Sequence, residues 1–288
     1  MVDVTPLPPV SIPNSEVRTL SSESVGQEYR ILIALPMKYA ESNDRYPVLY
    51  VLDADMMFGW ITELVRSAAS VRALGILGSD PSFPLYLPNL ILVGIGYPTS
   101  WFEQPKLWWS LRTRDLTPTQ NPEDARALGL KGTFGGNARK FLGFMRNELM
   151  PVVNSNYRTN PKDSTIVGHS GGGLFALSVL FHQPETFRRY VVSSPSLWWD
   201  NKVVFEYERE YASKHTELSG RLFLSVGSLE GPMVSNLKEL VKILEQRKYV
   251  GLEWESHIFE DEGHFSVGGT AICRGISTVF SKLNTKRT

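Results

Sequence analysis

The chain has 288 residues, and its 30 basic and 30 acidic side chains give a formal net charge of zero. A balanced charge argues against nucleic acid, an anionic membrane or another polyanion as the partner. The lone cysteine, Cys273, excludes an internal disulfide framework. The stretch "MVDVTPLPPVSIPNSE" lacks the features of a secretory signal, and no apolar run is long enough to span a bilayer. We therefore expect a soluble, cytoplasmic protein; the sequence carries no signal for its oligomeric state.

Apolar, strand-like runs alternate with helical patterns along most of the chain. Strand-like alternation begins at "EYRILIALP", and "YPVLYVLDAD" is a continuous apolar run typical of a strand buried on both faces. A helical pattern, "FGWITELVRSAASVRALG", follows. Five further strands are predicted at "PNLILVGIGYP", "DSTIVGHS", "FRRYVVSSPS", "GRLFLSVGS" and "LEWESHIFE", and further helices at 136–150, 171–182, 201–214, 234–247 and 267–283. This order predicts a single α/β domain over residues 1–288, with a mostly parallel sheet and helices on both faces.

Residues 99–134 interrupt the alternation. The segment contains three tryptophans and little periodicity. Long irregular segments inside compact domains are usually functional, and this aromatic content argues against disorder. Stacking of single-stranded nucleic acid on "KLWWSLRTRD" is disfavoured by the neutral overall charge and the lack of a recognisable binding fold. We expect a lid-like insertion over a functional site.

The stretch "TIVGHSGGGLF" has the form of a nucleophile turn. Gly168, Ser170 and Gly172 form G-x-S-x-G where a β-branched strand meets an apolar helix, the context in which a serine Oγ projects from the end of a sheet. The helix N-terminus there offers unpaired N–H groups to a developing negative charge. A tight structural turn is the alternative. We interpret Ser170 as a nucleophile.

Among the five histidines, His264 is the candidate general base. It lies in the polar loop "DEGHFSVGG" after the last predicted strand, at the sheet edge where ligands bind in α/β proteins. His169 adjoins the nucleophile, so its side chain is expected to point elsewhere. We interpret His182 and His215 as surface residues. A fifth histidine, His257, falls inside the last strand, where a structural role is preferred.

The base needs a carboxylate to hold its tautomer. Glu230 is the only acid in the loop after the penultimate predicted strand, which makes it the candidate. Asp261 and Glu262 are competitors because they are close to His264 in sequence. The chain order Ser170, Glu230, His264 is that of the α/β-hydrolases.

These stretches resemble the Putative esterase (esterase D-like) family of α/β-hydrolases, and most closely the siderophore trilactone esterases. The similarity lies in "YPVLYVLDAD", "RTRDLTPT", "GHSGGGLFAL", "SSPSLWWDN", "SVGSLEG" and "DEGHFSV", spread over residues 46–268. The resemblance implies an α/β-hydrolase fold and the triad named above. It further implies an oxyanion hole from the backbone N–H groups of Gly171 and Asp55, although Ala54 stands where many relatives have glycine.

The resemblance also implies a substrate. We expect a serine esterase that works through an acyl-enzyme without metal or organic cofactor, on a small-molecule ester such as a catecholate siderophore trilactone. Arg112 is the candidate substrate-binding residue, and one neighbouring arginine is expected to pair with Asp115. The alternatives are a general carboxylesterase for small acyl or aryl esters and a catalytically silent binding protein. The pocket walls are expected to include the tryptophans Trp101, Trp108, Trp109, Trp198 and Trp199.

Overall fold

The computed structural model describes residues 11–73, 87–127, 129 and 135–281. Within these ranges the chain forms an eight-stranded sheet in the order β1-β2-β4-β3-β5-β6-β7-β8. The strands are β1 (Ser15–Ser22), β2 (Gln27–Ala34), β3 (Tyr46–Val51), β4 (Ile91–Gly96), β5 (Thr159–His169), β6 (Arg189–Ser193), β7 (Glu217–Gly227) and β8 (Val250–Phe259).

The sheet is mostly parallel. β1 pairs antiparallel with β2, and β2 antiparallel with β4, whereas β4, β3, β5, β6, β7 and β8 run parallel to one another. This is the predicted α/β-hydrolase fold, and the prediction is confirmed. The carboxyl ends of the parallel strands meet along one edge, which is where ligands bind in open α/β sheets.

Helices cover both faces of the sheet. The α-helices in the described ranges are α1 (Ala54–Ala73), α2 (Pro105–Leu116), α3 (Pro122–Ala127), α4 (Ala138–Phe144), α5 (Met150–Asn156), α6 (Gly171–His182), α7 (Trp199–Ala212), α8 (Pro232–Arg247) and α9 (Val267–Phe280); a π-helical turn, Met145–Leu149, joins α4 to α5.

Two apolar cores lie on opposite faces of the sheet, as the alternation of side chains along β3 makes plain. Leu49 and Val51 pack in one core with the apolar residues of α1 and α9. Val48 and Tyr50 face the other core, which is formed with α4, α6, α7 and α8. Successive strand residues point to opposite faces, so each buried strand contributes to both cores.

Three predictions of local structure were wrong or incomplete. Strand β1 was not predicted. The insertion at 99–134 is not irregular, because it contains α2 and α3; residues 128 and 130–134 lie outside the described residues. The helix predicted at 201–214 is not helical in its first two residues, because Asp200, Asn201 and Lys202 form a kink with φ of 46°, 52° and 67°.

Candidate active site

Ser170 occupies the sharp turn between β5 and α6. Its φ of 59° and ψ of −119° lie in a region that L-residues rarely adopt. A Cβ on Gly168 would lie 2.2 Å from the carbonyl oxygen of Gly172, so the strand and the helix approach each other closely only because residue 168 is glycine. A Cβ on Gly172 would be 3.5 Å from its nearest neighbour, an ordinary contact.

The Ser170 hydroxyl is partnered by a second serine. Its Oγ lies 3.4 Å from Oγ of Ser196. Ser170 and His264 both line two cavities, which are described below. Among the described residues, the Ser170 hydroxyl is hydrogen-bonded to Ser196 and not to the imidazole of His264. Catalytic hydrogen bonds are often long without substrate.

His264 and Glu230 are hydrogen-bonded to each other. Nδ1 of His264 lies 2.6 Å from Oε2 of Glu230, which is buried, whereas the imidazole is partly exposed. His264 lies between β8 and α9, and Glu230 between β7 and α8, the two loops in which they were predicted. Neither of the competing acids, Asp261 and Glu262, takes the place of Glu230 on the ring nitrogen.

Three donors hold the Glu230 carboxylate in place. Besides His264 on Oε2, the hydroxyl of Ser194 donates to Oε1 at 2.6 Å and the Gly227 N–H donates to the same oxygen at 2.7 Å. Burial raises the pKa of Glu230, but the hydrogen bonds from His264, Ser194 and Gly227 outweigh it, so this pKa lies below its usual value. The Glu230 carboxylate is therefore ionised at neutral pH, where His264 has to act as a base.

His169 packs against His264. The two ring centroids are 4.7 Å apart, and Nδ1 of His169 lies 3.1 Å from Oγ of Ser193. Burial, reinforced by the nearby His264 and Arg112, lowers the pKa of His169 to about 3. The neighbour of the candidate base is thus a neutral ring.

The remaining histidines lie elsewhere. His182 contacts Tyr207, and His215 contacts Tyr211, beside a separate cavity on the outer side of α6 and α7. His257 is on β8, with Nε2 3.3 Å from Nη1 of Arg274.

Arg112 is held by a buried ion pair. Its Nε and Nη2 donate to the two carboxylate oxygens of Asp53, each at 2.7 Å, and Nη2 also donates to the His169 carbonyl at 3.2 Å. The guanidinium carbon lies 5.6 Å and 5.3 Å from the ring centroids of Trp108 and Trp109. The predicted brace is formed by the other arginine of this helix, Arg114, which binds both oxygens of Asp115 at 2.7 and 2.9 Å.

The two candidate oxyanion donors lie in the first turns of two helices. Gly171 begins α6, and Asp55 is the second residue of α1, so their backbone N–H groups have no carbonyl partner within the helix. The carboxylate of Asp55 instead accepts from the N–H of Tyr97 and from Nε1 of Trp108. Gly171 lines one of the two cavities, whereas Asp55 is not among the described lining residues of either.

Two cavities meet at Ser170. The one beside α1, about 550 Å³, is lined by the tryptophans Trp60, Trp101, Trp108 and Trp109 together with Met56 and Met57. The other, about 320 Å³ and beside α8, is lined by Trp109, Trp198, Trp199, Leu174 and Met233. All five predicted wall tryptophans therefore lie in one wall or the other. We call these the α1-side cavity and the α8-side cavity.

The described part of the chain contains no group of three His, Cys, Asp or Glu side chains suited to hold a metal ion. None of the helices it forms is both long enough and apolar enough to cross a membrane.

Comparison with known proteins assigns the family. A family model described as "Putative esterase" matches residues 118–265, about half of the chain. Ferri-bacillibactin esterase BesA of Bacillus subtilis is 34% identical over 92% of this chain and 89% of that protein. The chain belongs to the Putative esterase family. It is a carboxylic ester hydrolase, and the resemblance inferred from its sequence motifs is confirmed.

Two further proteins are similar over almost the whole length of this chain. Siderophore triacetylfusarinine C esterase of Aspergillus fumigatus is 28% identical, over 94% of this chain and 95% of that protein. The crystal structure of the BES protein from Bacillus cereus superposes with a TM-score of 0.81 at 31% identity, covering 97% of this chain and 99% of that one.

Sequence reasoning missed two residues of the site, Ser194 and Asp53. Ser194 is one of three serines in "SSPS", and nothing local distinguishes it from the others. Asp53 ends the apolar run of β3, a position typical of functional acids, but its arginine partner is 59 residues away. Only the fold brings the two together.

Proposed function

We propose that this esterase is a serine hydrolase that cleaves siderophore esters through an acyl-enzyme on Ser170. The observation that carries the proposal is the 2.6 Å contact between Nδ1 of His264 and Glu230, beside a serine on a strained strand-to-helix turn. With Nδ1 held by the carboxylate, Nε2 is the ring nitrogen left for proton transfer.

The reaction has two steps. The Ser170 hydroxyl exchanges its bond to Ser196 for one to His264, and Oγ attacks the ester carbonyl carbon while Nε2 takes the proton. The C–O bond to the alcohol then breaks, and His264 returns the proton to the departing oxygen. In the second step the same imidazole deprotonates a water, whose oxygen attacks the acyl carbon. The bond from that carbon to Oγ then breaks, the acid leaves, and His264 returns the proton to Oγ of Ser170.

The oxyanion of each tetrahedral intermediate is stabilised by backbone amides. We assign the N–H of Gly171 as one donor and an N–H of the first turn of α1, that of Asp55, as the other. Glu230 stabilises the imidazolium that forms in each step. Nη1 of Arg112 lies 3.0 Å from the position that a Cβ on Gly171 would occupy, and we assign it a hydrogen bond to the substrate. Arg112 does not act as a free counter-charge, because Asp53 already offsets its charge.

The substrate class rests on the relatives and on the cavity walls. BesA is named for ferri-bacillibactin and the Aspergillus fumigatus relative for triacetylfusarinine C. Both cavities are lined in part by tryptophan and methionine side chains, which offer apolar surface to aromatic or acyl groups. A siderophore ester with bulky arms fits this environment better than a small acetate ester.

The test compares a catecholate trilactone, metal-free and iron-loaded, with 4-nitrophenyl acetate. We expect kcat/KM to be higher for the trilactone, a fluorophosphonate to label the protein, and both hydrolysis and labelling to disappear in Ser170→Ala. Trilactone hydrolysis that persists in Ser170→Ala would refute the serine mechanism. A preference for the nitrophenyl ester would favour the general carboxylesterase.

A further inference from the structure

Three successive residues at the start of α7 have a left-handed backbone. Asp200, Asn201 and Lys202 have φ between 46° and 67° and ψ between 37° and 61°. This conformation is unfavourable for residues other than glycine, and it persists only where surrounding contacts hold it, often beside a ligand. We call these three residues the left-handed turn. It needs contacts that keep it in place.

The contacts that hold the left-handed turn come mainly from the insertion. The Asp200 N–H donates to Oδ2 of Asp124 on α3 at 2.7 Å, and Oδ1 of Asp200 accepts from Nδ2 of Asn121 at 3.1 Å. A hydrogen bond to an ionised carboxylate is stronger than one between neutral groups. Lys202 pairs with Glu239 at 2.8 Å, but both side chains are exposed, which makes that pair weak. Asp124 is therefore the principal anchor of the turn.

The left-handed turn directly follows two tryptophans of a cavity wall. Trp198 and Trp199 line the α8-side cavity, and their ring centroids are 6.0 Å apart. Nε1 of Trp199 also donates to the insertion, at 3.1 Å to Oγ1 of Thr119 and at 3.3 Å to its carbonyl oxygen. The position of this wall thus depends on contacts with the insertion.

The same segment is also attached to the nucleophile turn. The Ser196 N–H donates to the Ser170 carbonyl at 3.1 Å, and the Trp199 N–H donates to the Ser196 carbonyl at 3.1 Å. Trp198 therefore lies between one attachment at Ser170 and another at Asp124. Loss of the second attachment loosens the tryptophan wall while the first still holds the segment at the nucleophile.

We propose that Asp124 is a positioning residue for substrate binding, which holds the left-handed turn and thereby keeps Trp198 and Trp199 in the wall of the α8-side cavity. It sets the affinity for esters that present an aromatic group to this wall. Among the described residues, Asp124 lines neither cavity, so it acts only through the tryptophans. This inference rests on the proposed function, because it takes the ester to react at Ser170.

The kinetic test compares phenyl benzoate, which has a ring on each side of its ester bond, with vinyl acetate, which has none. Asp124→Ala removes the acceptor and is expected to raise KM for phenyl benzoate about tenfold, with kcat and the hydrolysis of vinyl acetate changed by less than about twofold. Asp124→Asn keeps an oxygen that accepts the Asp200 N–H and is expected to restore most of the wild-type KM. Glu123→Ala, at the exposed neighbouring position of α3, is the matched control and is expected to leave KM unchanged.

Hydrogen–deuterium exchange gives a second readout that does not depend on a substrate. The peptide containing the Asp200 amide is expected to exchange faster in Asp124→Ala, because this amide loses its acceptor, but not in Asp124→Asn or Glu123→Ala. Exchange in β5 is expected to stay the same in all variants, which shows that they are folded.

Two results would overturn the inference while leaving the serine mechanism intact. One is a KM for phenyl benzoate within about twofold of wild type in Asp124→Ala, or an equal loss of kcat for both esters. The other is unchanged exchange at the Asp200 amide, because Asp124 would then not anchor the turn. Absence of labelling of the wild-type protein by a fluorophosphonate would instead refute the proposed function.

Discussion

The hydroxyl of Ser194 donates a 2.6 Å hydrogen bond to Oε1 of Glu230, the carboxylate whose other oxygen binds His264. Ser194 is fully buried and has a φ of 44°, an uncommon conformation for a residue other than glycine. This buried hydroxyl, directly after β6, fixes the direction of the carboxylate and hence that of the imidazole.

Ser194→Ala is expected to lower kcat about tenfold or more with little change in KM, because a hydrogen bond to a charged group is lost. The pKa of Glu230 then rises, so the carboxylate is protonated at higher pH, and the acid limb of the pH–rate profile moves upward. Steady-state kinetics across pH measures both effects. Ser225→Ala, an equally buried serine bonded to the Val192 carbonyl, is the control. Equal losses in the two variants would show that Ser194 is merely structural.

Replacing single histidines with alanine tests which of them is the general base. His264→Ala is expected to lose at least a thousandfold in kcat/KM, because members of a triad act as a unit. His257→Ala is expected to retain most activity, since its imidazole contacts Arg274 at the surface of β8. Glu230→Ala falls between the two. Similar losses in His264→Ala and His257→Ala would reject His264 as the base.

His169 links stability to pH. Its pKa is about 3 in the folded protein, against 6.5 for the free side chain, so the unfolded chain binds a proton between these values and the folded protein does not. The stability contributed by neutral His169 is therefore complete above pH 6.5 and is lost as pH falls towards 3, by about 2–3 kcal/mol at pH 4.5.

His169→Asn removes this titration while retaining a polar group near Ser193. Denaturant unfolding at pH 7 and pH 4.5 is expected to show a smaller loss of free energy of unfolding in the variant than in the wild-type protein. An identical loss in both would mean that His169 is not held neutral by the fold.

Gly168→Ala and Gly172→Ala form a matched pair at the nucleophile turn. The first places a methyl group 2.2 Å from a backbone oxygen and is expected to destabilise the protein by about 3 kcal/mol or prevent folding. The second places it in ordinary contact, within a helix that favours alanine, and is expected to be close to neutral. Thermal denaturation decides, and a larger effect at residue 172 would contradict the packing described for this turn.

The buried strands and the nucleophile turn were predictable from sequence because each has a local signal. β3 and β4 are apolar throughout, and Ser170 lies between glycines where a strand meets a helix. β1 gives no such signal, since it is an edge strand paired with β2 and most of its side chains are exposed.

Helix α2 escaped prediction for a different reason. Its buried positions include Arg112, Thr113 and Asp115, which are buried through ion pairs and packing, so no apolar stripe marks the helix. The contacts of Arg112 with Asp53 and of Glu230 with Ser194 were missed because strand order brings together residues that are tens of positions apart. The roles of Ser170, Glu230, His264, Gly171 and Asp55 stay predictions until the variants are measured.

The Asp53–Arg112 pair has a consequence for how substrates arrive. Asp53 follows β3 and Arg112 lies on α2, so this buried pair joins the inserted helix directly to the carboxyl edge of the sheet. Removing one partner of a buried ion pair costs about 3–5 kcal/mol, a large share of the stability of a typical domain. We therefore expect α2 to stay in place during turnover, and esters to enter past Phe265, which lines both cavities and is 85% exposed.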